Sequence, residues 1–324
     1  GAIMKEQIRE FIEHGGDFEK MALEVYDWQR NHNAQYDRFC GDIHVRSWQE
    51  IPAVPTTLFR DLTLTCFPPE DAQVTFRTSG TTSGQRGCVR LVDTDIYNLA
   101  SRRHAEACLG PLPRHGVSFT PTAADSSLGH MCAQFTPGMS NHFSAESGVR
   151  IHEGWNAIQE ASDKGEPLFI PGTAFALADL INGSDVSCEV PPGSIIMVTG
   201  GFKGRTRLVT DDVLYSTLAQ RLRGAQIVGE YGMSELSSQL WAVPAGSPYR
   251  PPPWMRVQAV DPWTGEPTTR GLLRFYDLAN HQTVIAIETQ DVGVVHSNGD
   301  VTLEGRLVGA APRGCSLSVE EANG

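Results

Sequence analysis

The sequence predicts a mixed α/β protein, and three observations support this fold class. Short apolar runs that are typical of buried strands alternate with amphipathic, helix-like stretches. Two prolines in residues 51–62 exclude a regular helix there and predict an extended segment. Turn residues at Asp261-Pro262 and Thr264-Gly265 predict an antiparallel hairpin. In an α/β sheet of this kind, ligand loops are expected at the carboxyl ends of the strands.

The predicted elements follow the spacing of the apolar residues along the chain. Apolar side chains three and four positions apart predict two short N-terminal helices, separated by Gly15 and Gly16. The predicted strands cover residues 89–92, 167–170, 194–199, 225–228, 272–276 and 283–288. The predicted helices between them cover residues 95–108, 174–181 and 211–222.

Composition excludes several classes of function. The chain has 324 residues and a formal net charge of -12, which disfavours binding to a nucleic acid backbone or an anionic membrane surface. No run approaches the roughly 20 apolar residues that cross a bilayer, so a cytoplasmic protein is expected. The seven cysteines are scattered and form no CxxC pair, which predicts reduced thiols rather than disulfides or a zinc site.

The segment TSGTTSGQRG, residues 78–87, has the composition of a phosphate-binding loop. Glycines allow the backbone to bring N–H groups close to a ligand, hydroxyls donate hydrogen bonds, and Arg86 adds a positive charge. The segment lacks the Gly-Lys-Ser/Thr ending of a Walker A loop, and no GxGxxG motif is present. Taken alone, it predicts either a phosphate cradle or a solvated turn.

Three other motifs lie at or near strand ends further along the chain. IVGEYGMSELSSQLW gathers Tyr231, Ser234 and Glu235, which offer an aromatic face, a hydroxyl and a carboxylate. These groups suit a purine, a phosphate and a Mg²⁺ ion, respectively. AIETQDVGVV places Asp291 after a strand, where a carboxylate can accept both ribose hydroxyls, and LEGRLVG supplies Arg306.

In this order and spacing the motifs resemble those of the adenylate-forming superfamily, which includes acyl- and aryl-CoA ligases, adenylation domains and luciferase. TSGTT is similar to the phosphate loop, YGMSE to the Tyr-Gly-x-Thr-Glu motif, TQD to the ribose motif, and GR to the element near the hinge. IPAVPTTLF, TGGFKGR, PPPWMRV, YDLAN and RGCSL further resemble the acyl-protein synthetase branch, which is related to LuxE, and more distantly phenylacetate-CoA ligase.

The resemblance implies a fold of stacked α/β subdomains with a smaller β subdomain. The large domain would cover residues 4–306, with a helical lead-in at 4–70, an α/β nucleotide-binding core at 71–245 and a mainly β part at 246–306. A stub at 307–324 would replace the usual C-terminal lid domain.

The resemblance also implies a site that binds ATP and Mg²⁺. Tyr231 would contact adenine, Ser234 the α-phosphate, and Asp291 the ribose, with Arg306 near the ribose or phosphates. Glu235 would hold Mg²⁺. The remaining residues assigned to nucleotide binding are Ser79, Gly80, Thr81, Thr82, Ser83, Gly84, Glu230 and Gly232.

The chain departs from the superfamily pattern at positions that bear on catalysis. Arg86 stands where the phosphate loop usually has lysine, and it keeps the charge but changes the shape. The lid domain of the superfamily supplies a catalytic lysine. Either a partner supplies it, or Lys203 in TGGFKGR substitutes for it, or the protein binds nucleotide and turns over slowly. Lys203 is equally well interpreted as a solvated loop lysine.

The implied activity is the conversion of a carboxylic acid and ATP to an acyl-adenylate and pyrophosphate. The resemblance favours an aromatic, phenazine-like carboxylate in secondary metabolism, as for a member tied to griseoluteic acid biosynthesis. The product would pass to a partner reductase or another acyl acceptor. The alternatives are a LuxE-like fatty acyl-protein synthetase that transfers the acyl group through Cys315, or a nucleotide-binding protein with little catalysis. The oligomeric state stays open between monomer and homodimer.

Overall fold

The computed structural model describes residues 1–78, 86–200, 211–308 and 318–320. The chain folds as two compact units that do not follow one another in sequence. Among the described residues, those within 1–101, 233–239 and 251–320 form the first unit, and those within 102–232 and 240–250 form the second. The subdomain boundaries given above stay a prediction.

The helices of the described residues confirm the helical stretches predicted from apolar spacing. They are α1 Ala2–His14, α2 Phe18–His32, α3 Ala34–Cys40, α4 Asp95–Leu109, α5 Ser127–Phe135, α6 Ile151–Asp163, α7 Ala174–Asn182 and α8 Asp211–Arg221. Gly15 ends α1 with a φ of 77°, a conformation that favours glycine. Asp17 then begins α2 by accepting a hydrogen bond from the Lys20 backbone N–H at 3.1 Å.

The strands include all six of the predicted apolar runs, with shifted ends. They are β1 Val54–Pro55, β2 Val74–Arg77, β3 Cys88–Leu91, β4 His115–Ser118, β5 Ser140–Asn141, β6 Phe143–Ser144, β7 Gly148–Val149, β8 Leu168–Thr173, β9 Cys188–Glu189, β10 Ile195–Thr199, β11 Leu222–Arg223, β12 Gln226–Tyr231, β13 Leu240–Ala242, β14 Met255–Val260, β15 Pro267–Thr268, β16 Arg270–Asp277, β17 Ala286–Val295, β18 Val301–Val308 and β19 Ser318–Glu320.

The second unit is built on a sheet in the order β13-β12-β10-β8-β4-β5. Its strands β12, β10, β8, β4 and β5 are parallel, and β13 pairs antiparallel with β12. Leu168, Ile170, Ile196 and Val198 lie on one face and pack with the buried faces of α6 and α7. Their apolar runs are continuous because strands of a parallel sheet are covered on both faces.

The first unit is built on a mostly antiparallel sheet in the order β15-β14-β16-β17-β18-β19, with β1 added parallel to β17. Strands β14 and β15 form the predicted hairpin. The Asp261 side chain stabilises its turn by accepting hydrogen bonds from the N–H groups of Trp263 (2.7 Å) and Thr264 (3.0 Å). The buried faces of α1 and α2 include Ile8 and Val25.

Two segments differ from the sequence-based prediction. Residues 51–62 were predicted to be extended, but only Val54–Pro55 form a strand, and Thr56–Arg60 form a 3₁₀ helix. Pro55 precedes this turn with a φ of -58°, so its missing N–H is not needed inside the turn. The strand predicted at 283–288 instead begins at Ala286 and continues to Val295.

None of the helices in the described ranges has the length and apolar character that spanning a membrane would require.

Candidate functional site

The hydroxyl- and glycine-rich segment connects strands β2 and β3 of an antiparallel hairpin in the first unit. Arg77 pairs with Cys88 at the end of the ladder. Beyond it, the Thr78 N–H donates to the Gly87 carbonyl at 3.0 Å, and the Gly87 N–H donates to Thr78 Oγ1 at 2.9 Å. The hairpin therefore closes at Thr78 and Gly87, which form the base of the predicted phosphate loop.

The predicted loop residues themselves fall in the part of the chain that the structure leaves undescribed. This applies to Ser79, Gly80, Thr81, Thr82, Ser83 and Gly84, and their phosphate contacts stay a prediction. Arg86 is described and exposed, and its Nε donates to the Thr78 carbonyl at 2.6 Å. The predicted positive charge thus lies at the base of the hairpin loop.

Ser234 of the YGMSE motif belongs to the first unit and contacts the same hairpin. Ser234 Oγ donates a hydrogen bond to the carbonyl oxygen of Arg77 at 3.2 Å, across 157 positions of sequence. Arg77 is the last residue of β2, directly before the closing residue Thr78. The fold therefore brings the hydroxyl predicted to meet the α-phosphate to the start of the predicted phosphate loop.

Glu235, the predicted Mg²⁺ ligand, is buried at 7% exposure beside Ser234 in sequence. Its backbone carbonyl accepts a hydrogen bond from Asn280 Nδ2 at 2.8 Å. Mg²⁺ usually keeps several waters and takes only one or two protein carboxylates together with substrate phosphates, so a single carboxylate fits this ion. Among the described residues, no group of three or more His, Cys, Asp or Glu side chains has the arrangement of a metal site.

Asp291 and Arg306 lie opposite each other on the paired strands β17 and β18. Asp291 is buried at 8% exposure, and its N–H donates to Thr289 Oγ1 at 3.0 Å. Arg306 donates to Gln290 Oε1 at 3.2 Å. Directly opposite residues on paired strands have Cβ atoms about 4.5–5.5 Å apart. The structure thus brings together Asp291, which the resemblance assigns to the ribose, and Arg306, which it assigns to the ribose or the phosphates.

The remaining predicted nucleotide-binding residues belong to the second unit, at the carboxyl end of β12. Tyr231 is 6% exposed, and its ring meets the ring of Tyr249 edge-on at a centroid distance of 6.1 Å. Glu230 is 5% exposed, and Thr199 Oγ1 donates to its carboxylate at 3.1 Å. Gly232 is half-buried and follows Tyr231 at the end of this strand. Their contacts with nucleotide stay a prediction.

Two predicted catalytic residues, Lys203 and Cys315, lie outside the described residues. The roles assigned to them therefore stay predictions.

The structure identifies functional candidates that the sequence did not single out, namely Asp277 and Asn280 in the YDLAN segment. Asp277 is fully buried and accepts hydrogen bonds from the N–H and the hydroxyl of Ser238, both at 2.9 Å. Burial raises the pKa of Asp277 to about 6, and the hydrogen bonds from Ser238 and Ala279 oppose that rise. The sequence signal that could have identified Asp277 and Asn280 is that two polar residues follow one another closely at the end of the apolar strand β16.

Comparisons with known proteins show which fold this chain has. No family model matches the sequence, and no curated protein matches it. Among the solved structures that match are three with a TM-score of 0.50, namely VinN, MatB and MenE. VinN is 16% identical over 74% of this chain and 62% of its own. ATP-bound MatB from Rhodopseudomonas palustris is 16% identical over 75% and 50%, and AMP-bound MenE from Bacillus subtilis, an O-succinylbenzoate coenzyme A synthetase, is 17% identical over 74% and 51%.

The chain therefore has a mixed α/β fold that it shares with these three structures. It spans about half to three fifths of the length of these three structures. The likeness to these structures shows the fold of the chain and not its activity.

Proposed function

We propose that this protein activates a carboxylic acid with ATP, forming an acyl-adenylate and releasing pyrophosphate. The observation that supports this most directly is the hydrogen bond from Ser234 to Arg77, which joins the YGMSE motif to the hairpin of the predicted phosphate loop. Both motifs would contact the same phosphate chain. Neighbours with this fold have been solved with ATP and AMP bound, which is consistent with nucleotide use.

In the proposed reaction, a carboxylate oxygen attacks the α-phosphorus of ATP. A new oxygen–phosphorus bond forms, the bond between the α-phosphorus and the bridging oxygen breaks, and pyrophosphate leaves with the bonding electrons. Ser234 would donate a hydrogen bond to an α-phosphate oxygen, and Asp291 would accept the ribose hydroxyls. Arg86 would offset charge on the departing phosphates. Such preorganised donors and charges stabilise the transition state without a protein nucleophile.

Glu235 would hold Mg²⁺ through its carboxylate. When bound, the ion neutralises phosphate charge and so makes the phosphorus easier to attack. Arg306 would lie near the ribose or the phosphates, and the nucleotide contacts that the resemblance assigns to Tyr231, Glu230 and Gly232 of the second unit stay predictions.

The carboxylate that we propose is aromatic and phenazine-like, and its adenylate would pass to a partner reductase or acyl acceptor. This choice rests on the sequence resemblance described above. The RGCSL segment favours a second candidate, a LuxE-like acyl transfer in which the Cys315 thiolate displaces AMP from the adenylate and forms a thioester. Loss of labelled acyl-protein in Cys315→Ala, with adenylate formation retained, is the result that the second candidate predicts.

Isotope exchange between pyrophosphate and ATP, measured with a panel of aryl and fatty carboxylic acids, tests adenylation directly. We expect exchange that depends on one class of acid. Glu235→Gln should lower the exchange rate by about 100-fold or more, the usual cost of losing one group that stabilises transition-state charge. The exposed Glu266→Gln is the matched control and should exchange like the wild type. Measurable ATP binding without exchange for any acid would leave a nucleotide-binding protein instead of an enzyme.

A further inference from the structure

We infer that Asn280 is a positioning residue that fixes the backbone next to Glu235 and thereby sets the affinity of the site for Mg²⁺. This inference rests on the proposed function, since it takes Glu235 as the metal-binding carboxylate. The residues concerned all belong to the first unit.

Asn280 holds the peptide groups on both sides of Leu236. Its Nδ2 donates to the Glu235 carbonyl at 2.8 Å, and its Oδ1 accepts from the Ser237 N–H at 2.8 Å. Asn280 is 2% exposed, so water cannot readily replace these bonds. Its Nδ2 also donates to the Val284 carbonyl at 3.1 Å. The side chain thus ties the segment after Ser234 to the turn that follows β16.

Asp277 fixes the next residue of the same segment, Ser238. Its two carboxylate oxygens accept from the N–H and the hydroxyl of Ser238, each at 2.9 Å. Trp254 Nε1 donates to the same hydroxyl at 2.9 Å. The backbone from Glu235 to Ser238 is therefore held at three successive polar groups.

These side-chain bonds matter because the segment has no regular structure of its own. Residues 233–239 lie between β12 and β13 and contain neither a helix nor a strand. A carboxylate on such a segment points in a defined direction only if other groups fix its backbone. Groups that orient a metal ligand from outside the coordination shell change metal affinity by about 10- to 100-fold when they are removed.

The hydrogen bonds that Gln29 makes to the same turn, residues 280–285, provide a matched control for the Asn280 variants. Gln29 of α2 is fully buried, and its Nε2 donates to the carbonyls of Asn280 (2.9 Å) and His281 (3.2 Å). Its Oε1 accepts from the Ile285 N–H at 2.8 Å. These bonds stabilise the turn from the side of α2, and none of them is made to residues 233–239. Gln29→Ala should therefore destabilise the turn without freeing the peptide of Glu235.

The test is ATP binding measured by calorimetry over a range of MgCl₂ concentrations, with EDTA as the metal-free reference. We expect Asn280→Ala to raise the Mg²⁺ concentration for half-maximal ATP binding by about 10- to 100-fold. Binding in EDTA should stay at the wild-type value. Gln29→Ala should keep the wild-type Mg²⁺ dependence, even if its melting temperature falls as far as that of Asn280→Ala. Asn280→Asp, which keeps the acceptor and removes the donor, should show the same shift and serves if Asn280→Ala does not fold.

Hydrogen exchange on the wild type without nucleotide tests the hydrogen bonds of Asn280 and Asp277 to residues 237 and 238 independently of any variant. The amides of Ser237 and Ser238 should be protected relative to the exposed Ser297 amide. Unprotected amides would overturn the inference, and so would an unchanged Mg²⁺ dependence in the folded Asn280 variants or an equal change in Gln29→Ala. Failure of the wild type to bind ATP would instead contradict the proposed function. The hydrogen-exchange result would still show whether Asn280 and Asp277 hold the backbone of residues 237 and 238.

Discussion

At the scale of single residues, His281 makes stability depend on pH. It is 4% exposed, and burial lowers the pKa of its imidazole to about 4. The unfolded chain takes up a proton near pH 6.5, the ordinary value, whereas the folded protein does so only near pH 4. Because the unfolded state binds more protons between these values, the contribution of neutral His281 is complete above pH 6.5 and is lost as the pH falls toward 4.

His281→Gln should reveal this contribution. Lowering the pH from about 7.5 to about 5 should shrink the difference in unfolding free energy between wild type and variant by about 2 kcal/mol, since each pH unit below 6.5 costs about 1.4 kcal/mol per proton. Asp277, whose raised pKa acts in the opposite sense, is present in both proteins and cancels. Urea unfolding at the two pH values is the measurement. The exposed His44→Gln is the control, and a difference that does not change with pH would contradict the prediction.

At the scale of elements, the strands of the β17–β18 hairpin approach closely at Gly293, two residues after Asp291, which pairs with Arg306. A Cβ atom at Gly293 would lie 2.4 Å from the carbonyl oxygen of Thr302 on β18. The register of the pair also shifts between Val292 and Gly293, which marks a bulge.

Gly293→Ala should therefore separate the two strands locally. We expect a loss of unfolding free energy of about 1–3 kcal/mol, as for other overpacked sites, together with weaker ATP binding. Ser297→Ala in the exposed turn of the same hairpin is the control. Thermal unfolding and calorimetric titration with ATP measure the two effects. Wild-type values for both would show that β18 can move aside without cost.

Local patterns in the sequence were sufficient to predict five of the eight α-helices of the described residues, six of their strands and the β14–β15 hairpin. Gly15 and Gly16 separate the first two helices, and continuous apolar runs predict the parallel strands, because these signals act between near neighbours. The start of β17 could not be predicted in this way. Residues 283–285 have strand-like side chains, but Gln29, more than 250 positions away, accepts a hydrogen bond from the Ile285 N–H and holds this stretch in the turn before the strand.

The same distinction applies to the candidate site. Ser234, Glu235, Asp291 and Arg306 could be proposed as site residues from the sequence because each belongs to a short motif with a recognisable order. Asn280 was not predictable as a site residue, since its amide meets the Glu235 carbonyl from 45 positions away. A buried amide has no local sequence signature beyond its polarity, and only the folded chain shows which peptide it holds.

At the scale of the whole molecule, binding of ATP with Mg²⁺ should stabilise the protein. Ligand at about 100 times its Kd adds about 2.7 kcal/mol to the free energy of unfolding. We expect a melting temperature several degrees higher with ATP and MgCl₂ than with either alone, since each kcal/mol is worth about 2–4 °C for larger domains. EDTA should remove most of the shift by stripping the ion. An equal shift in EDTA would show that nucleotide binding does not depend on the metal.

The segments that form the two units alternate along the chain. The chain passes between them at residues 101–102, 232–233, 239–240 and 250–251, so residues 233–239 are a seven-residue stretch of the first unit bounded on both sides by the second. No single cut in the gene yields either unit intact. A fragment that ends at Gly232 keeps Tyr231 but loses Ser234 and Glu235. Exchange of either unit for that of another protein would therefore require the chain to be broken and rejoined at all four junctions.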